Sequence, residues 1–348
     1  MFKLNVITGV VAAIYFVSSA HAQENLTAET TAPMTVPGQT ILGLSELSAA
    51  AGIADIQVAT GQTLTNSVQN VSEGKTDIAA APFALPFLLS KGAGPYASLG
   101  AEKGAELASN LAVLYTYRFA VFGLSAYQSK NFGGWNALEG STIYNGPPRG
   151  AALNKARAMV RLATGMNEGE GYTGIQVNWG QANATITDGS ADAHILPMGF
   201  PDARMSQGAA SGQMVVFSYP KDIFESESGI KYGKAPGGAA VVVPIHENLI
   251  GPNISVQSED GFFRGYADVG GEVVNVSMDA DTAYKLTKAF LDGLSKLKAR
   301  TPSMADTWLG ETETAKTGMC GPNPMKYHPG AVRAWKEAGV DLPDCAKP

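Results

Sequence analysis

The residues best suited to bind an anion lie in the segment 141–165, STIYNGPPRGAALNKARAMVRLATG. Apolar residues recur at helical spacing through 152–163 and predict an amphipathic helix that ends at Gly165. Before the helix, Gly146, Pro147 and Gly150 form a loop whose backbone N–H groups can approach a ligand at the start of the helix. The segment therefore predicts a strand, a loop and a helix that together cradle an anion.

Arg149 is the unusual residue of this loop. A cation at a helix N-terminus opposes the helix dipole, at a cost of roughly 0.3–1 kcal/mol at an exposed site. An anion that contacts both Arg149 and the free N–H groups would turn this repulsion into an attraction. The alternative is a surface Arg that points away from the helix. We take Asn145, Pro147, Arg149 and Gly150 as candidate ligand contacts.

The N-terminus has the pattern of a secretory signal peptide. Lys3 precedes an apolar run at 6–17, and Ala20 and Ala22 supply the small residues of a cleavage site. The run is shorter than the ~20 residues that a membrane-spanning helix needs. We therefore expect cleavage after Ala22 and an exported protein.

Charge limits the partners of this protein. The formal net charge is −6 and becomes −7 when Lys3 is removed, which argues against nucleic acid as a partner. A small acidic ligand is still compatible with this balance, because one local Arg can outweigh a diffuse net charge.

The two cysteines, Cys320 and Cys345, both lie near the C-terminus. In an oxidising compartment they would most simply form a disulfide, which would contribute on the order of 3 kcal/mol to stability. A metal site is the weaker alternative, because His328 is the only histidine near them and structural zinc usually has four ligands. We expect no metal and no cofactor.

Residues 55–81 predict a βαβ unit, with strands at 55–59 and 77–81 and a helix at 65–73. Thr63, Asn66 and Ser67 lie near the start of this helix, at the carboxyl end of the first strand. Ligands bind at this edge of open α/β sheets, so the three side chains are candidate contacts. The alternative is that they serve as caps and turn formers.

The chain is long enough for two lobes, since about 325 mature residues exceed one typical core. Residues 112–122 predict a strand in which Arg118 carries the only charge, and we interpret it as the first crossing between lobes. Residues 272–277 predict the return crossing, followed by a long helix at 280–299. Arg118 would face the cleft, although a snorkelling or ion-paired Arg is the alternative.

Phe200 and Asp202 follow a predicted strand at 193–197, so they are also cleft candidates, with simple turn packing as the alternative. We assign 1–22 to the signal peptide, 23–37 to a flexible leader, 38–118 with 271–348 to lobe 1, and 119–270 to lobe 2. The predicted fold class is α/β.

Several phrases of the chain, taken in order, resemble the TAXI subfamily of solute receptors for TRAP transporters. They lie at residues 60–79, 114–115, 138–152, 188–203, 274–290 and 327–339. The resemblance implies a two-lobed periplasmic binding protein of type II-like fold, with two interlobe crossings and a ligand cleft. It also implies a periplasmic location, a small organic anion such as glutamate or a dicarboxylate as ligand, and membrane permease subunits as partners.

The chain departs from the family pattern at two places. Residues 34–52 lack the usual Gly-rich loop, and Arg149 stands where the family usually has small residues after its prolines. Both departures lie where the family holds its ligand, so they bear on which anion is bound.

We expect a monomeric receptor that binds its ligand without chemistry. An exported enzyme is less favoured, because the sequence contains no HExxH or GxSxG motif and its mature histidines are scattered. A ligand-binding module that feeds a sensor or an ABC-type importer is the main alternative.

Overall fold

The computed structural model describes residues 24–148 and 150–348. The predicted signal peptide at 1–22 and the predicted ligand contact Arg149 lie outside the described residues.

Strands and helices alternate through much of the chain, as expected of an α/β protein. The strands are β1 (Glu24–Glu29), β2 (Ala54–Ala59), β3 (Ile78–Pro82), β4 (Leu111–Tyr127), β5 (Thr142–Tyr144), β6 (Thr173–Ile175), β7 (Ala193–Met198), β8 (Met214–Phe217), β9 (Gly238–Pro244), β10 (Ile254–Gln257), β11 (Phe262–Asn275) and β12 (Lys326–Tyr327). The α-helices are α1 (Val36–Ala50), α2 (Leu64–Ser72), α3 (Ala84–Ser90), α4 (Gly100–Ser109), α5 (Ala151–Thr164), α6 (Ala182–Thr187), α7 (Ala203–Ala209), α8 (Lys221–Glu225), α9 (Glu227–Gly233), α10 (Ala280–Asp292), α11 (Leu294–Lys298), α12 (Thr314–Thr317) and α13 (Pro329–Glu337).

The first lobe is built on the parallel strands β2, β1 and β3, in that order, with β11 antiparallel beside β3. The predicted flexible leader at 23–37 is wrong, because it contains β1 and the start of α1. Leu26 and Ala28 of β1 are buried, while their neighbours are largely exposed. Buried and exposed residues thus alternate with a period of two. The Thr- and Ala-rich composition of the segment did not indicate this strand pattern.

Two long antiparallel strands, β4 and β11, connect the lobes. Their pairing runs from Tyr266 opposite Phe122 to Asn275 opposite Leu111, with register shifts between Asp268 and Val269 and between Glu272 and Val273. The predicted return crossing at 272–277 covers only the final part of β11, and the predicted helix at 280–299 is divided into α10 and α11.

The buried apolar residues form separate cores on either side of these crossings. One core contains residues between 26 and 119 and between 273 and 346, and we call this part lobe 1. Two further cores contain residues between 121 and 269, and we call this part lobe 2. The prediction of an α/β fold with two lobes is confirmed.

The C-terminal tail packs on lobe 1 and is closed by the Cys320–Cys345 disulfide, with a Cα–Cα distance of 5.2 Å. The predicted disulfide is therefore confirmed. No helix in the two described ranges is long and apolar enough to span a membrane.

Candidate functional site

Arg118 lies on β4 where the crossing strands pass between the lobes, and only 4% of its surface is exposed. Its Nη2 donates hydrogen bonds to Oδ2 of Asp306, at 2.9 Å, and to the main-chain oxygen of Asp306. Its Nε and Nη1 are buried and find no acceptor in the part of the chain that the structure describes. Burial lowers the pKa of Arg118, whereas the Asp306 carboxylate acts in the opposite direction.

Two aromatic rings enclose the Arg118 guanidinium. Its central carbon lies 5.3 Å from the ring centroid of Phe200 and 5.3 Å from that of Trp308. Phe200 belongs to a lobe 2 core, and Trp308 follows the lobe 1 helices but packs against the same lobe 2 core. We call Arg118, Phe200, Asp306 and Trp308 the crossing site. The crossing site therefore lies between the two lobes.

The sequence identified Arg118 and Phe200, and the structure brings these two together. Asp306 and Trp308 were missed, because a lone aspartate and a tryptophan in a loop carry no periodic signal. Trp308 has a φ of +52°, which is uncommon for a bulky residue and marks a backbone fixed by its surroundings.

The lobe 1 candidates divide into exposed and structural residues. Thr63 and Asn66 are exposed at the start of α2, beyond the carboxyl end of β2. Ser67 is buried, and its hydroxyl donates to the main-chain oxygen of Thr63 at 3.5 Å, so it serves the first turn of α2. Although burial favours the neutral form of Glu29, hydrogen bonds from Thr76 at 2.7 Å and Asn70 at 3.0 Å lower its pKa.

Asn145 is buried at the carboxyl end of β5, within a polar network of lobe 2. Its Nδ2 donates to Glu168 at 2.7 Å, and its Oδ1 accepts from Gln176 at 2.8 Å. Arg157 donates two hydrogen bonds to the same carboxylate and lowers the pKa of Glu168. The Asn145 side chain thus holds the edge of lobe 2 together.

The remaining candidates are mainly backbone and capping residues. Pro147 is half-buried, and Gly150 caps α5 with a φ of +107°, a value that requires glycine. Asp202 caps α7, because its Oδ1 accepts from the Met205 N–H at 2.8 Å and its Oδ2 from the Gly199 N–H at 2.9 Å. Its carboxylate therefore serves the turn that carries Phe200.

Lobe 2 also contains a pair of residues that the sequence did not indicate, Trp179 and Arg204. The Arg204 guanidinium lies 5.3 Å from the ring centroid of Trp179 and donates to the main-chain oxygen of Pro197. We call these two residues the lobe 2 wall. The sequence shows the positive charge on α7, but nothing in it links Arg204 to Trp179.

Two surface cavities of lobe 2 lie away from both groups. One, of about 560 Å³, is lined by residues of β10 and the loop after β9, and the other, of about 490 Å³, by Arg157, Arg161, Asn167 and Glu168. Within residues 24–148 and 150–348, His, Cys, Asp and Glu side chains form no cluster that could hold a metal ion.

No protein-family model matches this chain, and no curated protein matches it. Among solved structures, it is similar to a TRAP periplasmic solute binding protein from Desulfovibrio salexigens with bound orotic acid, at 11% identity, covering 93% of this chain and 88% of that one, with a TM-score of 0.45. It is also similar to a marine metagenome TRAP solute binding protein in complex with co-purified pyroglutamate, at 14% identity, covering 91% of both chains, with a TM-score of 0.44.

A third similar structure is the periplasmic aliphatic sulphonate binding protein of Escherichia coli, at 10% identity, covering 79% of this chain and 77% of that one, with a TM-score of 0.42. These three similar structures are solute-binding proteins, found at low sequence identity.

Proposed function

We propose that this protein is the periplasmic receptor of a TRAP-type transporter of the TAXI subfamily. It captures a small organic anion by closing its two lobes and delivers the anion to the membrane permease. The observation that carries the proposal is Arg118, a buried guanidinium between the lobes with two N–H-bearing nitrogens that lack acceptors among the described residues.

Unpartnered donors on a buried charge favour an anionic ligand. A buried donor without an acceptor costs about 1–3 kcal/mol, and more when the group is charged. A carboxylate that accepts from Nε and Nη1 would remove this cost and form charge-assisted hydrogen bonds. Asp306 leaves these two nitrogens free, because only Nη2 reaches it.

The groups around Arg118 favour binding over catalysis. The crossing site offers a guanidinium, a carboxylate already paired with it, and two aromatic rings. These groups hold and desolvate an anion, whereas nucleophilic catalysis needs a nucleophile activated by an adjacent base.

The lobes close on the ligand because its contacts come from both of them. A ligand at Arg118 lies beside Phe200 of lobe 2 and beside Trp308, which enters from the lobe 1 side. The closed form offers more contacts than the open form, so the ligand shifts the equilibrium towards closure. A permease can then distinguish the loaded from the empty receptor by shape.

The experiment starts from protein that has been unfolded in guanidinium chloride and refolded, which removes any ligand carried through purification. A panel of carboxylates, amino acids and sulfonates is screened by thermal shift, and the compounds that raise the Tm are measured by calorimetry. A ligand at about 100 times its Kd stabilises by roughly 2.7 kcal/mol, which raises the Tm by several degrees. A panel in which no anion raises the Tm would contradict the proposal.

A further inference from the structure

Strand β9 lies at an edge of the sheet in lobe 2. It pairs with β11 on one side and with no strand of the described residues on the other. At the two ends of this pairing, Ile245 donates its N–H to the oxygen of Gly261, and Val269 donates to the oxygen of Gly237, both at 2.9 Å. Because hydrogen-bonded pairs alternate along antiparallel strands, the odd-numbered residues of β9 direct their N–H and C=O groups to β11. The even-numbered residues direct theirs to the open edge.

Ala240 and Val242 are the even-numbered residues in the middle of β9. No turn, cap or side chain of the described residues forms a hydrogen bond with the N–H or C=O group of either one. Both side chains are exposed, and that of Val242 is 50% exposed. Pro244 has no N–H, so pairing along this edge ends there. A short stretch of β9 is therefore open to a further strand.

The surface around this edge is apolar. β9 contains no charged residue, and its exposed side chains are those of Ala240, Val242 and Pro244. Phe262 of β11 lies opposite Pro244 and is 42% exposed. Soluble proteins usually protect an edge strand with charged side chains, a bulge or a covering segment. An uncharged edge with exposed apolar side chains is suited to a partner strand.

The charges that flank β9 have opposite signs at its two ends. Lys234 precedes the strand and Glu247 follows it, and both are exposed. Ion pairs of the neighbouring segments use Lys221, Arg264 and Asp260, whereas Lys234 and Glu247 have no such partner among the described residues. In an antiparallel pair of identical strands, the start of one copy lies beside the end of the other. Lys234 of each copy then meets Glu247 of the other copy.

We propose that β9 pairs with β9 of a second copy of this chain, antiparallel and about a two-fold axis. Ala240 of each copy lies opposite Val242 of the other, and these two pairs exchange four main-chain hydrogen bonds. The same register places Ala235 opposite Glu247, which brings the neighbouring Lys234 beside that carboxylate. A two-fold contact uses the same patch on both copies and closes at the dimer. The expected monomer is then the form found at low concentration.

Sedimentation equilibrium of the purified protein tests this pairing. A strand edge buries less surface than the ~1,600 Å² of a standard interface, so we expect dimers only at high concentration. Between about 5 and 500 μM, the mass should rise from that of one chain towards that of two. Val242→Lys places a charge at the centre of the contact and is expected to weaken dimerisation at least about tenfold. Val276→Lys is the matched control, since Val276 is 45% exposed but follows β11 in lobe 1.

A charge exchange tests the antiparallel orientation. Lys234→Glu and Glu247→Lys each bring like charges together and are expected to weaken dimerisation by about 3- to 10-fold. The double variant restores opposite charges and should dimerise within about twofold of the wild type. Both residues are exposed, so thermal melting should show an unchanged fold in all three variants.

Three results overturn the pairing: the mass of a single chain up to about 500 μM, a mass that rises beyond two chains, or equal weakening by Val242→Lys and Val276→Lys. A double variant that stays as weak as the single variants overturns the antiparallel register and with it the proposal. The pairing uses no residue of the crossing site, so ligand binding by calorimetry tests the receptor function separately.

Discussion

Arg118 and Arg264 are both nearly buried, with 4% and 6% of their surfaces exposed, yet their surroundings differ. Arg264 donates from Nη1 and Nη2 to the two oxygens of Asp260, each at 2.7 Å, and Glu225 lies 3.6 Å from Nη2. Arg118 reaches a carboxylate only through Nη2, and its Nε and Nη1 lack acceptors among the described residues.

The difference separates a structural arginine from one that is available to a ligand. Taking a charge out of water is costly unless pairing and hydrogen bonds compensate. Arg264 obtains this compensation within lobe 2, whereas Arg118 obtains only part of it within the protein. Burial alone therefore does not distinguish the two arginines, whereas their unused hydrogen-bond donors do.

The largest expected effect is on ligand affinity when Arg118 is replaced. Arg118→Gln removes the charge-assisted hydrogen bonds to the ligand and is expected to weaken binding of the best anion at least about 100-fold. The Tm of the ligand-free protein should change by less than about 2 °C, because Asp306 is about half exposed and returns to water. Calorimetry and thermal melting measure the two quantities, and unchanged affinity would make Arg118 a structural residue like Arg264.

Glu272 extends the comparison to a buried acid. It lies on β11, is fully buried, and accepts a hydrogen bond from the Tyr117 hydroxyl at 2.7 Å through Oε2. Its Oε1 has no partner among the described residues, and burial raises the pKa of Glu272 to about 8. Glu272 is therefore protonated in the folded protein at neutral pH, whereas it is ionised in the unfolded chain.

This shift makes stability depend on pH with a defined sign. The contribution of Glu272 is fully present below its unfolded pKa of 4.5 and is lost as pH rises towards the folded value of about 8. Glu272→Gln removes the titration, so the wild type should lose on the order of 3–4 kcal/mol more than the variant between pH 5 and pH 8. Denaturant unfolding at several pH values measures the difference, and parallel curves would show that Glu272 does not titrate in this range.

Replacing Arg264 is expected to have the opposite effect to replacing Arg118, because it should lower stability and leave ligand affinity unchanged. Arg264→Gln breaks the bidentate contact with Asp260 and is expected to lower the Tm by roughly 5 °C. Ligand affinity should stay within about twofold of the wild type, because Arg264 lies in lobe 2 away from the crossing site. A large loss of affinity with an unchanged Tm would break the distinction between the two arginines.

Residue patterns were sufficient to predict the elements that carry these groups. The helical spacing before Gly165 predicted α5, and the apolar run around Arg118 predicted the middle of β4. The prediction failed at β1. Its polar composition indicated a flexible leader, whereas its residues alternate between buried and exposed as in a strand.

The site was only partly predictable, for a different physical reason. A single charge in an apolar strand indicated Arg118, but its partners Asp306 and Trp308 lie about 190 residues further along the chain. Asn145 and Asp202 were correctly placed at strand ends, yet their side chains are engaged by Glu168 and by the α7 cap. Which of several polar side chains is left unpartnered depends on tertiary packing, and local spacing does not encode that packing.

The smallest expected effect concerns the aromatic surface around Arg118. Phe200→Leu keeps an apolar side chain but removes the ring that faces the guanidinium at 5.3 Å. A cation–π contact is worth about 0.5–2 kcal/mol, so ligand affinity is expected to fall by about 2- to 10-fold through poorer positioning of Arg118. Phe224→Leu is the control, since Phe224 is also buried in lobe 2 but packs against Tyr266. Both variants lose a similar amount of buried ring, so an equal loss of affinity in the two would assign the effect to lobe 2 packing and remove Phe200 from the crossing site.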